Sequence, residues 1–232
     1  MSGKVVQIAG RDGAFSAYLA MPGEPPKAGL VVIQEIFGVN AVMRDIADAY
    51  AAQGYAALCP DLFWRLEPGV QLTDKTDAEW KRALELMGAF DPDKGVEDID
   101  ASIDYLRERI GVRKVGAVGY CLGGLLAFLT AARTDVDASV SYYGVNLDKR
   151  LDEVEKLAQP LMLHMAGKDQ FVPAKAQEAI KAGLHNHPQV TINVYDAQDH
   201  AFARKGGAHY DAQAAELANR RTADFFREHL AA

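Results

Sequence analysis

Short apolar runs alternate along the chain with longer amphipathic stretches, the pattern of an α/β protein with a mostly parallel central sheet flanked by helices. Residues 29–34 form a continuous β-branched run. With 55–59, 115–119, 138–142, 160–165 and 190–195 they read as strands buried on both faces. Residues 5–8 and 15–20 flank Arg11-Asp12-Gly13 and read as an opening antiparallel hairpin. Helical spacing covers 41–53, with Val42, Ile46, Ala49 and Tyr50 as the apolar stripe and Gly54 as the stop. It also covers 77–90, with Trp80, Leu84 and Met87, and 92–110, with Val96, Ile99, Ile103 and Leu106 ahead of Gly111. Residues 122–132 are almost wholly apolar and predict a central helix; 173–184 and 212–230 complete the set. Residues 62–76 are polar and interrupted by Pro68-Gly69, which predicts a surface excursion rather than a boundary. With no repeat and no long linker, the expectation is a single domain over residues 1–232.

Composition narrows the partners. At 49% hydrophobic and 25% charged residues the chain is globular. Asp+Glu 32 against Lys+Arg 25 leaves a net charge of -7, which disfavours nucleic acid and anionic membrane as partners and leaves a small molecule. No apolar signal core opens the sequence and no run of eighteen apolar residues occurs, so the expected location is cytoplasmic. The two cysteines, Cys59 and Cys121, lack metal-ligand spacing. If either matters, it matters as a thiol.

The segment Gly119-Tyr120-Cys121-Leu122-Gly123-Gly124 follows the strand at 115–119 and opens the apolar helix. It fits G-x-nucleophile-x-G with cysteine in the nucleophile position. A nucleophile on a sharp strand-to-helix turn sits in strained backbone, and its neighbours two residues away must lack bulk. A thiol there stands at the N-terminus of a helix, where the thiolate is favoured, and the Leu122 N–H is free to hold an oxyanion. Taken alone, the motif also fits a small core residue. The strand before it and the helix after it favour the nucleophile. Neither a dinucleotide-binding glycine pattern nor a P-loop is completed.

A nucleophile of this kind needs a base, and the base an orienting acid, in the chain order nucleophile, acid, histidine. Asp169 follows the strand at 160–165, and His200 follows the strand at 190–195. The remaining histidines lie within a strand (His164), flank a helix end (His185, His187), or fall in the last helical region and its approach (His209, His229).

Four further blocks stand beside the cysteine motif: Gln34-Glu35-Ile36-Phe37-Gly38-Val39-Asn40, Gly54-Tyr55-Ala56-Ala57-Leu58-Cys59-Pro60-Asp61-Leu62, Tyr142-Tyr143-Gly144-Val145 and Asp199-His200-Ala201-Phe202-Ala203-Arg204. In order and spacing the set resembles the cysteine-dependent dienelactone hydrolases (carboxymethylenebutenolidases) over almost the whole chain. The resemblance implies an α/β-hydrolase fold with no large cap domain and a Cys121-Asp169-His200 triad. It also implies hydrolysis of an unsaturated lactone arising in aromatic degradation. The backbone N–H groups of Ile36 and Leu122 would form the oxyanion hole. Glu35 would be a fourth catalytic group, paired at rest with Arg204 and released to the thiol when a substrate carboxylate takes that arginine. Phe37 and Tyr143 would belong to the substrate pocket.

One departure bears on substrate. Counted back without gaps from Ala89-Phe90-Asp91, the position of the family's second carboxylate-binding arginine holds Trp80, followed by Lys81 and Arg82. Either a neighbouring cation substitutes, making Arg82 a pocket residue, or an aromatic pocket with Trp80 takes a less anionic substrate. Leu84 and Met87 would make the adjoining wall aliphatic, although helical spacing favours core packing as the reason for those two. The expected function is therefore opening of an unsaturated lactone through a thioester acyl-enzyme. The alternatives are a broader carboxylesterase or thioesterase on a less anionic ester, or a non-catalytic binding protein that kept the pocket. Neither a metal nor an organic cofactor is called for, and a monomer is expected.

Overall fold

A computed structural model describes residues 3–231. The first two strands, β1 (Lys4–Gly10) and β2 (Gly13–Ala20), form the expected hairpin, pairing antiparallel from Lys4↔Leu19 to Gly10↔Gly13. The β-branched runs become β3 (Ala28–Ile33), β4 (Tyr55–Pro60), β5 (Val115–Tyr120), β6 (Ala138–Tyr142), β7 (Leu161–Ala166) and β8 (Val190–Tyr195). All eight join one sheet in the order β1-β2-β4-β3-β5-β6-β7-β8. Pairing is antiparallel from β1 through β4 and parallel from β4 to β8. The sheet is that of an α/β-hydrolase fold. Strands β3 to β7 are buried throughout, whereas β8, at the edge, is only partly covered.

Six α-helices cover the sheet: α1 (Ala41–Ala52), α2 (Asp77–Ala89), α3 (Pro92–Tyr105), α4 (Leu122–Arg133), α5 (Ala174–Leu184) and α6 (Ala212–His229). Helices α1, α2 and α3 are capped at their starts by side chains: Asn40 accepts from Met43 N, Thr76 from Glu79 N and Asp91 from Asp93 N. Helix α4 packs on β5 and β6, and ten of its twelve residues are buried, which suits its uniform apolarity. Among the described residues no helix is long and apolar enough to cross a membrane.

Three local expectations are corrected, and the turns at Leu147–Lys156 are an element the sequence pattern did not announce. The helix at 92–110 is α-helical only to Tyr105; Leu106–Ile110 is a π turn closed by Gly111 at φ 84°. Helix α1 buries Met43, Ala47, Tyr50 and Ala51, leaving Val42, Ile46 and Ala49 toward the surface, because apolar residues occupy both faces. The polar stretch Leu147–Lys156 coils into 3-10 turns around the buried Glu153, which pairs with Arg133 (2.5 Å) and Lys156 (3.0 Å). Residues 62–76 are not a free excursion: Leu62, Phe63 and Val70 are buried. Asp61 binds that segment by accepting from Phe63 N (3.1 Å) and Gly69 N (2.7 Å). Gly38 bridges to Gln71, and Leu72 N donates to Phe37 O (2.9 Å), so the segment is tied to the loop after β3.

Candidate active site

Strand β5 passes into α4 through Cys121, at φ 56° and ψ -113°. Non-glycine residues reach that region only when their surroundings force it. The force is close packing. A Cβ on Gly119 would lie 1.8 Å from the Gly123 carbonyl oxygen, and one on Gly123 would lie 2.4 Å from the Ile33 carbonyl oxygen. Two glycines therefore let the first turn of α4 press against the ends of β5 and β3, holding the thiol at the mouth of the sheet. Cys121 N donates to the Tyr142 carbonyl (3.1 Å), tying the elbow to β6.

Asp169 and His200 arrive on the loops after β7 and β8. His200 Nδ1 lies 2.7 Å from Asp169 Oδ2, while Asp169 Oδ1 accepts from Phe171 N (2.8 Å) and Val172 N (3.2 Å). The carboxylate is thus held at both oxygens and fixes the imidazole. Tyr143 and Phe171 pack their rings against His200, at 5.0 and 4.9 Å between centroids. Burial works against a charge on His200, but negative charge at Cys121 and the bond to Asp169 outweigh it and push the pKa up to about 10.

The loop after β3 supplies the other side. Gln34 locks it, accepting from Leu62 N (3.0 Å) and donating to the Glu35 carbonyl (3.3 Å). Glu35 is buried; its Oε2 accepts from Arg204 Nη1 (3.1 Å) and its Oε1 has no partner among the described residues. Arg204 Nη2 donates to Asp74 Oδ2 (2.7 Å), and the guanidinium lies over the Phe37 ring. Burial opposes the charge on Arg204, yet Glu35 and Asp74 together raise its pKa above the ordinary arginine value.

Cys121, His200, Glu35, Ile36, Phe37, Trp80 and Arg204 line one cavity of about 340 Å³. Asp169 sits behind His200; Tyr143, expected in the pocket, does not line the cavity but packs against His200, its buried hydroxyl without a partner among the described residues. Leu122 opens α4, so its N–H is among the helix's unpaired first donors. Arg82 is a correction. It does not line the cavity; it turns outward to Glu67 and Glu85 (3.0 Å) with its side chain 44% exposed. Two residues on from Trp80 is the far side of a helix, and Trp80 faces in. Leu84 and Met87 both line the cavity; Met87 also packs against the core as its spacing implied, whereas Leu84 is 52% exposed.

Sequence reasoning missed Asp74, Phe171 and His209, all on the cavity wall. Asp74 lay in a stretch read as surface. Phe171, two residues past Asp169, is a conspicuous aromatic in a turn and was the one findable signal. His209 Nδ1 meets the His200 carbonyl (3.1 Å), a contact made by chain folding that no motif announces.

With the geometry in place, the comparison with known proteins is direct. Residues 15–230 match the dienelactone hydrolase family. The chain belongs to the dienelactone hydrolase family. A candidate carboxymethylenebutenolidase of Azospirillum brasilense is 56% identical over 225 residues, covering 96% of each chain. The carboxymethylenebutenolidase of Pseudomonas putida is 44% identical over 222 residues, covering 95% of this chain and 94% of its own. Among solved structures, a candidate dienelactone hydrolase from Klebsiella pneumoniae superposes with a TM-score of 0.86 at 26% identity, covering 97% of this chain and 98% of that one. The protein is accordingly a hydrolase of the dienelactone hydrolase type.

Proposed function

We propose that this dienelactone hydrolase opens an unsaturated lactone, a dienelactone-to-maleylacetate type of reaction, through Cys121 as nucleophile and a thioester acyl-enzyme. The observation that carries the reading is the Asp169–His200 hydrogen bond of 2.7 Å beside a cavity that also exposes a cysteine on a strained elbow. The Cys121 thiolate adds to the lactone carbonyl, and the N–H groups of Ile36 and Leu122 receive the oxyanion; one such donor is worth about 10²–10³ in rate. Collapse breaks the ring C–O bond and expels an enolate, a far better leaving group than an alkoxide. The sulfur becomes a neutral thioester, so His200 loses the charge that held its proton and passes it to the leaving group. Neutral His200, still oriented by Asp169, then takes a proton from water as the water attacks the thioester. The products are a carboxylic acid and the free enzyme, with the Cys121 sulfur released and the proton returned to the Cys121–His200 couple.

In this reading Glu35, with one buried oxygen unpartnered, is the reserve proton acceptor for the thiol. A second reading, a carboxylesterase or thioesterase acting on a less anionic ester, is favoured by the wall of Trp80, Leu84 and Met87. Both share the chemistry, and one variant tests it. Cys121→Ala should lower kcat/KM by about 10³-fold or more with the far-UV spectrum and Tm retained. Activity within tenfold of the parent protein would remove the nucleophile.

A further inference from the structure

We infer that Asp74 occupies the carboxylate-binding face of Arg204, so that the site takes a neutral lactone or ester with an apolar or aromatic body rather than a carboxylate-bearing one. The inference rests on the cysteine chemistry proposed above and sides with the second reading of its substrate, a less anionic ester, against a dienelactone, which itself carries a carboxylate. A guanidinium grips a carboxylate through parallel N–H donors. In this chain both terminal nitrogens of Arg204 are taken: Nη1 by Glu35 (3.1 Å) and Nη2 by Asp74 (2.7 Å). Each terminal nitrogen keeps a second N–H, but both are already bonded to a carboxylate and Nε is buried, so no parallel pair of donors is free of an existing partner.

Charge points the same way. Two carboxylates already face one guanidinium, and Arg204 is the one lysine or arginine side chain on the cavity wall among the described residues. A substrate carboxylate would be a third negative charge on that cation, next to a thiol that must itself carry negative charge to react. Even where it took the place of Glu35 at 3.1 Å, Asp74 would remain on the same guanidinium at 2.7 Å.

The remaining wall accepts what the charge rejects. Trp80 Nε1 donates to the Asp74 carbonyl (3.1 Å), so the aromatic residue on the wall also holds Asp74 in place. The Trp80 ring stands edge-on to Phe37 at 5.2 Å and stacks near Phe171 at 6.4 Å. Leu84 and Met87 continue the apolar surface. Asp74 and Trp80 act as one unit: the first blocks the anion site and the second offers a flat apolar face. Asp74 is a specificity residue here, with no part in bond making.

The test uses two esters of one skeleton, mono-4-nitrophenyl adipate and its methyl ester, with nitrophenolate release followed for the purified protein, Asp74→Asn and Cys121→Ala. The protein should favour the neutral ester by at least tenfold in kcat/KM. Asp74→Asn, which keeps the shape and removes the charge, should raise the anionic-to-neutral ratio by at least tenfold. It should also lower the inhibition constant of phenylacetate by a similar factor; a merely structural role would move neither. Preference of the parent protein for the anionic ester overturns the inference, as does a ratio that rises less than threefold in Asp74→Asn. Cys121→Ala separates the two claims. If it is inactive on both esters while the parent prefers the anionic one, only the substrate class falls; if it retains turnover, the cysteine chemistry falls whichever ester is preferred.

Discussion

The chain uses the same pair of residue types, a cysteine and a histidine, in two regions with opposite results. In the interior, Cys59 lies within β4 and is fully buried; burial, with Asp61 adding to it, pushes its thiol up well above the ordinary value. His164 lies within β7, its ring nitrogens at 2.9 Å from the Tyr195 hydroxyl and 3.0 Å from the Thr222 hydroxyl, and burial lowers its pKa to about 3. At the mouth of the sheet, Cys121 and His200 are also largely buried, but there a carboxylate faces the imidazole, and His200 is raised to about 10. Burial opposes charge in both places. What differs is the partner: hydroxyls leave a histidine neutral, whereas Asp169 and the Cys121 sulfur hold one charged.

Acid should expose the interior half of the contrast most strongly. His164 has its folded pKa below its unfolded one, so its contribution to stability is present above about pH 6.5 and is lost as pH falls toward about 3. Between about pH 6 and pH 4 this one group should cost about 1.4 kcal/mol of unfolding free energy per pH unit. Denaturant titrations of His164→Gln across that range should show a slope shallower by that amount. Equal slopes would mean that His164 is not held neutral. The smaller effect belongs to the interior thiol: Cys59→Ala should destabilise by about 1 kcal/mol through lost packing. Its kcat should be unchanged in the same preparation. A large loss of kcat with unchanged stability would erase the distinction between the two cysteines.

Much of this contrast was legible before the coordinates. The strands could be read because parallel strands between helix layers must be apolar on both faces, and their ends fell within a residue or two. The elbow could be read because only glycine survives a 1.8 Å approach such as the one at Gly119. Asp169 and His200 could be read because chemistry in this fold collects on the loops at the strand ends. The cavity wall resisted. Helical spacing shows that Leu84 and Met87 share a face, but a core and a pocket are both apolar, so spacing cannot say which one that face meets. The phase of the same helix would have turned Arg82 away from a pocket containing Trp80. Asp74 was invisible for another reason: it meets Arg204 across 130 residues of chain, from a segment whose polarity reads as solvent-facing.

The central claim is that Cys121 carries the acyl group during turnover and Cys59 does not. Mixing the protein with excess 4-nitrophenyl ester, quenching in acid during turnover and mapping the peptides by mass tests it directly. The account predicts one acyl group per chain, on the Cys121 peptide, with the Cys59 peptide unmodified. Nitrophenolate release at the full rate with no acyl group on the Cys121 peptide would contradict it.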